Sequence, residues 1–201
     1  MAPYFQTVKS FADVPFTGED GQGGVETEAF LAASDGLVQL FDLLGSGVFG
    51  FVQADIRGNI NGVRARYDSH KDASRTLEEL VQSEKNEPHR HATPCLVRLI
   101  RGLLFTCRAL QHMQRDTSCE LHVCFRRAYD EVLRHHHNFV IRGVVGVAIR
   151  ATPHRHAFYT SIAQGEPFDE LDVELARWLE GLDRIVGSVR AFLESGGFGK
   201  V

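Results

Sequence analysis

The chain has 201 residues, 43% hydrophobic and 24% charged, with only 6 prolines. That size and balance suit one globular domain around a single core and exclude a disordered chain. Its 22 basic and 26 acidic side chains sum to −4, which excludes nucleic-acid binding through a strongly basic surface but leaves room for a basic patch at a membrane.

The longest apolar run, Phe139 to Ile149, is interrupted by Arg142 and is about half the ~20 residues needed to cross a bilayer. The start of the chain lacks the pattern of a secretion signal, and Ala2 stands where myristoylation needs glycine. The four cysteines, Cys95, Cys107, Cys119 and Cys124, include no Cys-x-x-Cys pair. Together these features predict reduced thiols in a cytoplasmic protein.

Residues 1–26 read as a partly flexible segment with a turn-rich stretch from Thr17 to Gly24, and 27–201 as a single domain. From Thr27 the periodicity is helical: Phe30, Leu37, Phe41 and Leu44 share a face until Gly45-Ser46-Gly47 supplies a stop. Val52, Ile56, Ile60, Val63 and Tyr67 mark a second helix, and Thr76-Leu77-Glu78-Glu79 a capping box ahead of a short third. Thr93-Pro94 predicts a capping hydroxyl and a first-turn proline, opening a helix with Leu96, Leu99, Leu103, Cys107 and Leu110 on one face. Cys119 to His136 and Asn138 to Arg150 read as two more helices or one long one. The last runs from near Asp169 through Leu171, Leu175, Trp178, Leu182, Ile185, Val189 and Phe192 to Ser195-Gly196-Gly197. No period-2 strand pattern intervenes, so the predicted fold is all-α.

On the second helix, Asp55, Asn59 and Gly62 form a stripe beside the apolar one. A carboxylate and a carboxamide one turn apart can grip vicinal hydroxyls or an amide if they line a cleft; otherwise they mark an ordinary helix boundary. Arg98 and Arg101 fall off the apolar stripe of their helix, as Arg57 and Arg64 do on theirs, a pattern of solvated faces. Three adjacent histidines, His135 to His137, point about 100° apart on a helix and do not share one ion, and His154 and His156 have no cysteine or carboxylate to complete a zinc pattern. With no Gly-x-Ser-x-Gly elbow, phosphate loop or His-Glu-x-x-His, neither an enzyme nor a cofactor or metal is expected.

Four segments, in order, resemble the glycolipid transfer protein family. They are Ala54-Asp55-Ile56-Arg57-Gly58-Asn59-Ile60 after Leu43-Leu44-Gly45 and Val48-Phe49; Leu99-Ile100-Arg101-Gly102-Leu103; Ala128-Tyr129-Asp130 with His136-His137-Asn138-Phe139; and Ala151-Thr152-Pro153. The resemblance implies a two-layer sandwich of about eight helices and non-vesicular transfer of single sphingolipids between membranes, without covalent chemistry. It implies that Asp55 accepts from headgroup hydroxyls and the ceramide amide, that Asn59 grips the headgroup, and that His137 bonds the amide carbonyl. Arg101 would support the cleft, and Phe139 stands where many members place a membrane-dipping tryptophan. Three departures alter that pattern. Arg98 replaces a tryptophan that lies under the sugar in glycolipid-binding members, Gly62 replaces a lysine, and a C-terminal tyrosine is absent, with Phe198-Gly199 in its region. Members that bind ceramide-1-phosphate usually carry arginine where Arg98 stands, but lysine where Asn59 stands, so this chain mixes two specificities.

A two-chain lipid carries tens of CH₂ groups at ~0.8 kcal/mol each, so a carrier needs a dry channel topped by polar contacts. Phe30, Leu37, Phe41, Val144, Val145 and Ala148 are expected to line or border it. Phe139 and Arg142, with Phe49 or Phe51, are expected to dock reversibly on a membrane. The expected partners are a glycosylceramide, slightly favoured over ceramide-1-phosphate, and a transient membrane surface, the protein being a monomer. The alternative is a sphingolipid sensor or adaptor presenting lipid to a protein partner.

Overall fold

In the computed structural model, which describes residues 2–18, 23–44 and 49–201, the chain is all-helical. The α-helices among these residues are α1 (Tyr4–Thr7), α2 (Thr27–Leu43), α3 (Gly50–Ser69), α4 (Leu77–Glu84), α5 (Ala92–Arg115), α6 (Leu121–Val132), α7 (Phe139–Arg150), α8 (Arg155–Ala163) and α9 (Phe168–Ser195). They pack as a two-layer sandwich in which α5 touches α3, α4, α6 and α9, while α2 lies against α3 and α8. The helix stop expected at Gly45-Ser46-Gly47 lies outside the described residues, as do positions 19–22 of the expected turn-rich stretch.

Local chemistry accounts for several of the helix ends. The Thr76 hydroxyl accepts from the Glu79 N–H at 3.1 Å, and the Glu79 carboxylate accepts from the Thr76 N–H at 3.4 Å, completing the expected capping box of α4. After α9, Gly197 takes a left-handed φ of 69°. There the Phe198 N–H reaches the Leu193 carbonyl and the Gly197 N–H the Glu194 carbonyl, with Phe198 stacked on Phe192.

The start of α5 differs from expectation. The helix begins at Ala92, one residue before Thr93, and Thr93 does not cap it. Instead the buried Glu84 carboxylate, at the end of α4, accepts from the N–H groups of His91, Ala92 and Thr93 and from the Thr93 hydroxyl, at 2.6–2.8 Å. Pro94 is harmless there because first-turn N–H groups have no intrahelical partner. The junction between α6 and α7 is also resolved: a 3-10 turn, Arg134–His136, separates two helices, and Asn138 caps α7 by accepting from the Ile141 N–H at 3.0 Å.

The core is built from the periodic faces. Trp178, Phe11, Phe30, Phe41, Phe125 and Phe158 are fully buried, as are Leu171, Leu175, Leu182, Ile185 and Val189 of α9. Phe11 and Val14, from the segment set apart on composition, enter this core, and Phe11 meets Trp178 edge-on at 5.1 Å. A Cβ at Gly181 would lie 2.2 Å from the Ala12 nitrogen, so α9 and the N-terminal segment approach backbone to backbone.

Candidate functional site

One cavity of about 500 Å³ opens among α2, α3, α5, α7 and the Arg134–His136 turn. One part of its wall is apolar, with Phe41, Ile56, Phe105, Ile141 and Val145; the other carries Asp55, Arg98, Arg101, His136 and His137. Helical periodicity makes this convergence: α3 presents Asp55 and Ile56, and α5 presents Arg98, Arg101, Gly102 and Phe105.

The polar groups are knitted together before any ligand arrives. Asn59, only 5% exposed, donates from Nδ2 to the Asp55 carbonyl at 2.9 Å and to Asp55 Oδ2 at 3.2 Å. Its Oδ1 accepts from Arg98 Nε at 3.1 Å, and Arg98 Nη2 approaches Cys95 Sγ at 3.8 Å. The Asp55 carboxylate keeps most of its acceptor capacity and stands exposed at the cavity edge. Arg101, half-buried, donates from Nε at 2.9 Å and from Nη2 to the carbonyl of Lys200. Burial and the neighbouring Arg98 lower its pKa from the ordinary arginine value. Side chains that pattern alone assigned to a solvated face therefore border a cleft, because α3 and the C-terminal segment rise on either side of α5.

Across the cavity, His137 Nδ1 is 3.1 Å from the Tyr129 hydroxyl. Burial raises the Tyr129 pKa, so the phenol keeps its proton. With the hydroxyl donating a hydrogen bond to Nδ1, the imidazole carries its own N–H on Nε2 and offers a donor to an acceptor such as an amide carbonyl. Burial lowers the His137 pKa, opposed by the Asp55 carboxylate and reinforced by Arg101 and Arg142, which favours the neutral ring. Arg142 braces the same turn from behind, Nε donating to the carbonyls of Arg134 at 3.0 Å and His137 at 2.8 Å.

These features, an apolar cavity with a polar rim in an all-α sandwich, have close counterparts. The family model described as glycolipid transfer protein matches residues 25–164, well over half of the chain. The chain belongs to the glycolipid transfer protein family. A glycolipid transfer protein of Aureobasidium melanogenum is 38% identical over 193 residues, 96% of this chain and 93% of that one. The human pleckstrin homology domain-containing family A member 8 is 32% identical over 168 residues, 81% of this chain, which spans only 32% of that longer protein. Among solved structures, the fungal glycolipid transfer protein HET-C2 superposes with a TM-score of 0.89 at 36% identity, covering 95% of this chain and 96% of that chain. Human ceramide-1-phosphate transfer protein, solved with 12:0 ceramide-1-phosphate, gives 0.84 at 18% identity, covering 98% of each chain, and shares the fold alone.

Seen within the glycolipid transfer protein family, the position expected to hold lysine has a structural reason for its glycine. A Cβ on Gly62 would fall 2.5 Å from Cys95 Sγ and 3.3 Å from His91 Nε2. Arg98 brings a cation in from α5 instead, across Asn59 and Cys95.

The remaining expected residues divide. Of the six side chains expected to line or border the channel, Phe41 and Val145 line this cavity; Phe30, Leu37 and Ala148 are buried in the core; Val144 is 46% exposed. Phe139 is 89% exposed at the start of α7, in an outward apolar stripe with Val140, Val144 and Val147. Phe49 is withdrawn from the surface against Phe41, while Phe51 is exposed on the first turn of α3 and lines the cavity. Arg64 pairs with Asp35 at 2.6 Å, and Arg57 is exposed away from the cavity. The rings of His135 and His136 lie 4.2 Å apart, and among the described residues no three His, Cys, Asp or Glu side chains are placed to hold a metal.

Sequence reading missed Glu84, the bracing role of Tyr129, the Lys200 carbonyl under Arg101, and His136 as a wall residue. Tyr129 and His136 each left a signal, by falling inside the histidine-containing segment.

Proposed function

We propose that the protein takes up one sphingolipid and carries it between membranes. The observation that supports this is the joining of a polar rim (Asp55, Asn59, Arg98, Arg101 and His137) to an apolar cavity in one crevice. On this reading Asp55 accepts from headgroup hydroxyls and the amide N–H, while His137 Nε2 donates to the amide carbonyl. Asn59 serves the headgroup through Asp55 and Arg98, which it aligns. The hydrocarbon enters past Phe41, Ile56 and Val145. Burying that hydrocarbon replaces what the bilayer offered, and no chemical step is needed.

A glycosylceramide is the passenger assigned. The relatives at 36–38% identity carry the name glycolipid transfer protein, and the Asp55–Asn59 pair suits vicinal hydroxyls. One observation favours a second reading, ceramide-1-phosphate: two guanidinium groups, Arg98 and Arg101, border the same rim, and a guanidinium fork suits phosphate. Docking on the membrane uses the exposed Phe139, Val140, Val144 and Val147 stripe, which lies beside the cavity wall made by Ile141 and Val145.

Vesicle-to-vesicle transfer of labelled glucosylceramide and ceramide-1-phosphate tests this. Asp55→Val should abolish glucosylceramide transfer while leaving the helical circular dichroism intact. Undiminished transfer by the variant would refute the site. A wild-type protein that binds lipid but moves none would refute transfer in favour of a sensor.

A further inference from the structure

We propose that His136 is a further lipid contact, hydrogen-bonding a hydroxyl group of the bound molecule. This rests on the reading that the cavity takes a sphingolipid. The polar side chains on the cavity wall are otherwise engaged: Asp55 by Asn59, Arg98 by Asn59 and Cys95, Arg101 by the Lys200 carbonyl, Thr106 by the Gly102 carbonyl, and His137 by Tyr129. His136 is the exception among the described residues. Its ring lines the cavity, yet its Nε2 is closed off from solvent and has no hydrogen-bond partner.

A buried ring nitrogen left unpaired opposes folding, and such atoms in well-packed proteins call for an explanation. A lipid supplies one. The ring borders the cavity, so a small shift of the Arg134–His136 turn as the lipid enters gives the closed-off nitrogen a neighbour. Burial, with Arg101 nearby, favours the neutral ring. A neutral imidazole presents either a lone pair or an N–H at Nε2, depending on tautomer. An amide N–H satisfies only the first and a carbonyl only the second, whereas a hydroxyl satisfies both. The hydroxyl can come from the sphingoid backbone or from a headgroup sugar.

Transfer between phosphatidylcholine vesicles is measured for wild type, His136→Phe and His136→Gln with three lipids: glucosylceramide, its 3-deoxysphingoid analogue and ceramide-1-phosphate. Phe keeps the ring and removes both nitrogens; Gln restores a terminal polar group near Nε2. Expected are an unchanged or higher melting temperature for His136→Phe, about fivefold slower glucosylceramide transfer, the effect of one hydrogen bond, and recovery in His136→Gln. If the deficit disappears with the 3-deoxy lipid, the hydroxyl is on the sphingoid base. If it survives there and disappears with ceramide-1-phosphate, the hydroxyl is on the sugar. His136→Phe equal to wild type with all three lipids overturns the proposal alone; a wild type that takes up none overturns the transfer reading with it. Should His136→Phe not fold, the ¹⁵N resonance of His136 Nε2 in wild type decides, since a frequency unchanged on lipid loading overturns the assignment.

Discussion

Replacing Glu84 by Gln removes the charge that starts α5, the helix carrying Arg98 and Arg101. The carboxylate is 3% exposed and accepts four hydrogen bonds: from the N–H groups of His91 (2.8 Å), Ala92 (2.8 Å) and Thr93 (2.7 Å) and from the Thr93 hydroxyl (2.6 Å). Gln keeps the shape, but one terminal oxygen becomes an NH₂ group facing two donors. Two bonds to a charged group, at ~1.5–3 kcal/mol each, are lost, giving about 3–6 kcal/mol. For a chain of this size each kcal/mol shifts the melting temperature by about 2–4 °C, so Glu84→Gln should melt roughly 6–24 °C below wild type at pH 7. The acid side supplies a second signature. Burial works to raise the Glu84 pKa, but the four hydrogen bonds together outweigh it and hold it below the ordinary carboxyl range. A carboxyl depressed in the folded state stabilises fully above its unfolded pKa of about 4.3, and that stabilisation is lost as pH falls through the folded value. The two melting temperatures should therefore converge in acid. Thermal unfolding followed by circular dichroism checks both points, and a variant melting within about 2 °C of wild type at pH 7 would refute the argument.

Tyr129→Phe should leave the melting temperature nearly unchanged but release Nδ1 of His137. Losing one aligning hydrogen bond, worth about 0.5–1.5 kcal/mol, should slow glucosylceramide transfer roughly two- to tenfold, and ¹⁵N spectra should show a mixed His137 tautomer where wild type shows one. Phe139→Ser should reduce partitioning onto phosphatidylcholine vesicles about tenfold, the loss of ~1.4 kcal/mol of apolar contact, while detergent-solubilised lipid still binds. Sedimentation with vesicles reads the first effect, and co-elution of radiolabelled lipid with the protein on gel filtration reads the second.

Much of the architecture was legible because it is local. Periodic apolar faces on α2, α3, α5 and α9, the Thr76–Glu79 box and the Gly197 terminator are settled within a few residues of each other. Helix α8 escaped because Arg155–Ala163 is short and weakly amphipathic, and its place depends on Arg155, which reaches back to the Met113 carbonyl and Glu120. The site divides in the same way. Asp55 and Asn59 sit one turn apart and could be read together, but the partners of Arg101 and Thr93 lie 99 and 9 residues away in sequence. Thr93 has the chemistry of a cap; a stronger acceptor, the Glu84 carboxylate, took that place. Arg98 and Arg101 read as solvated because helical periodicity describes one helix at a time, not the walls that neighbouring helices raise beside it.

The contact between Gly62 and Cys95 bears on how the two helices can diverge. With even a methyl at position 62 falling 2.5 Å from the cysteine sulfur, the two residues interlock like a tooth and its gap. A bulkier side chain at 62 requires the sulfur to move or go first and His91 to give as well, whereas trimming the cysteine leaves only a small void. The order of replacement is therefore directional: exchange on α5 must precede any growth on α3.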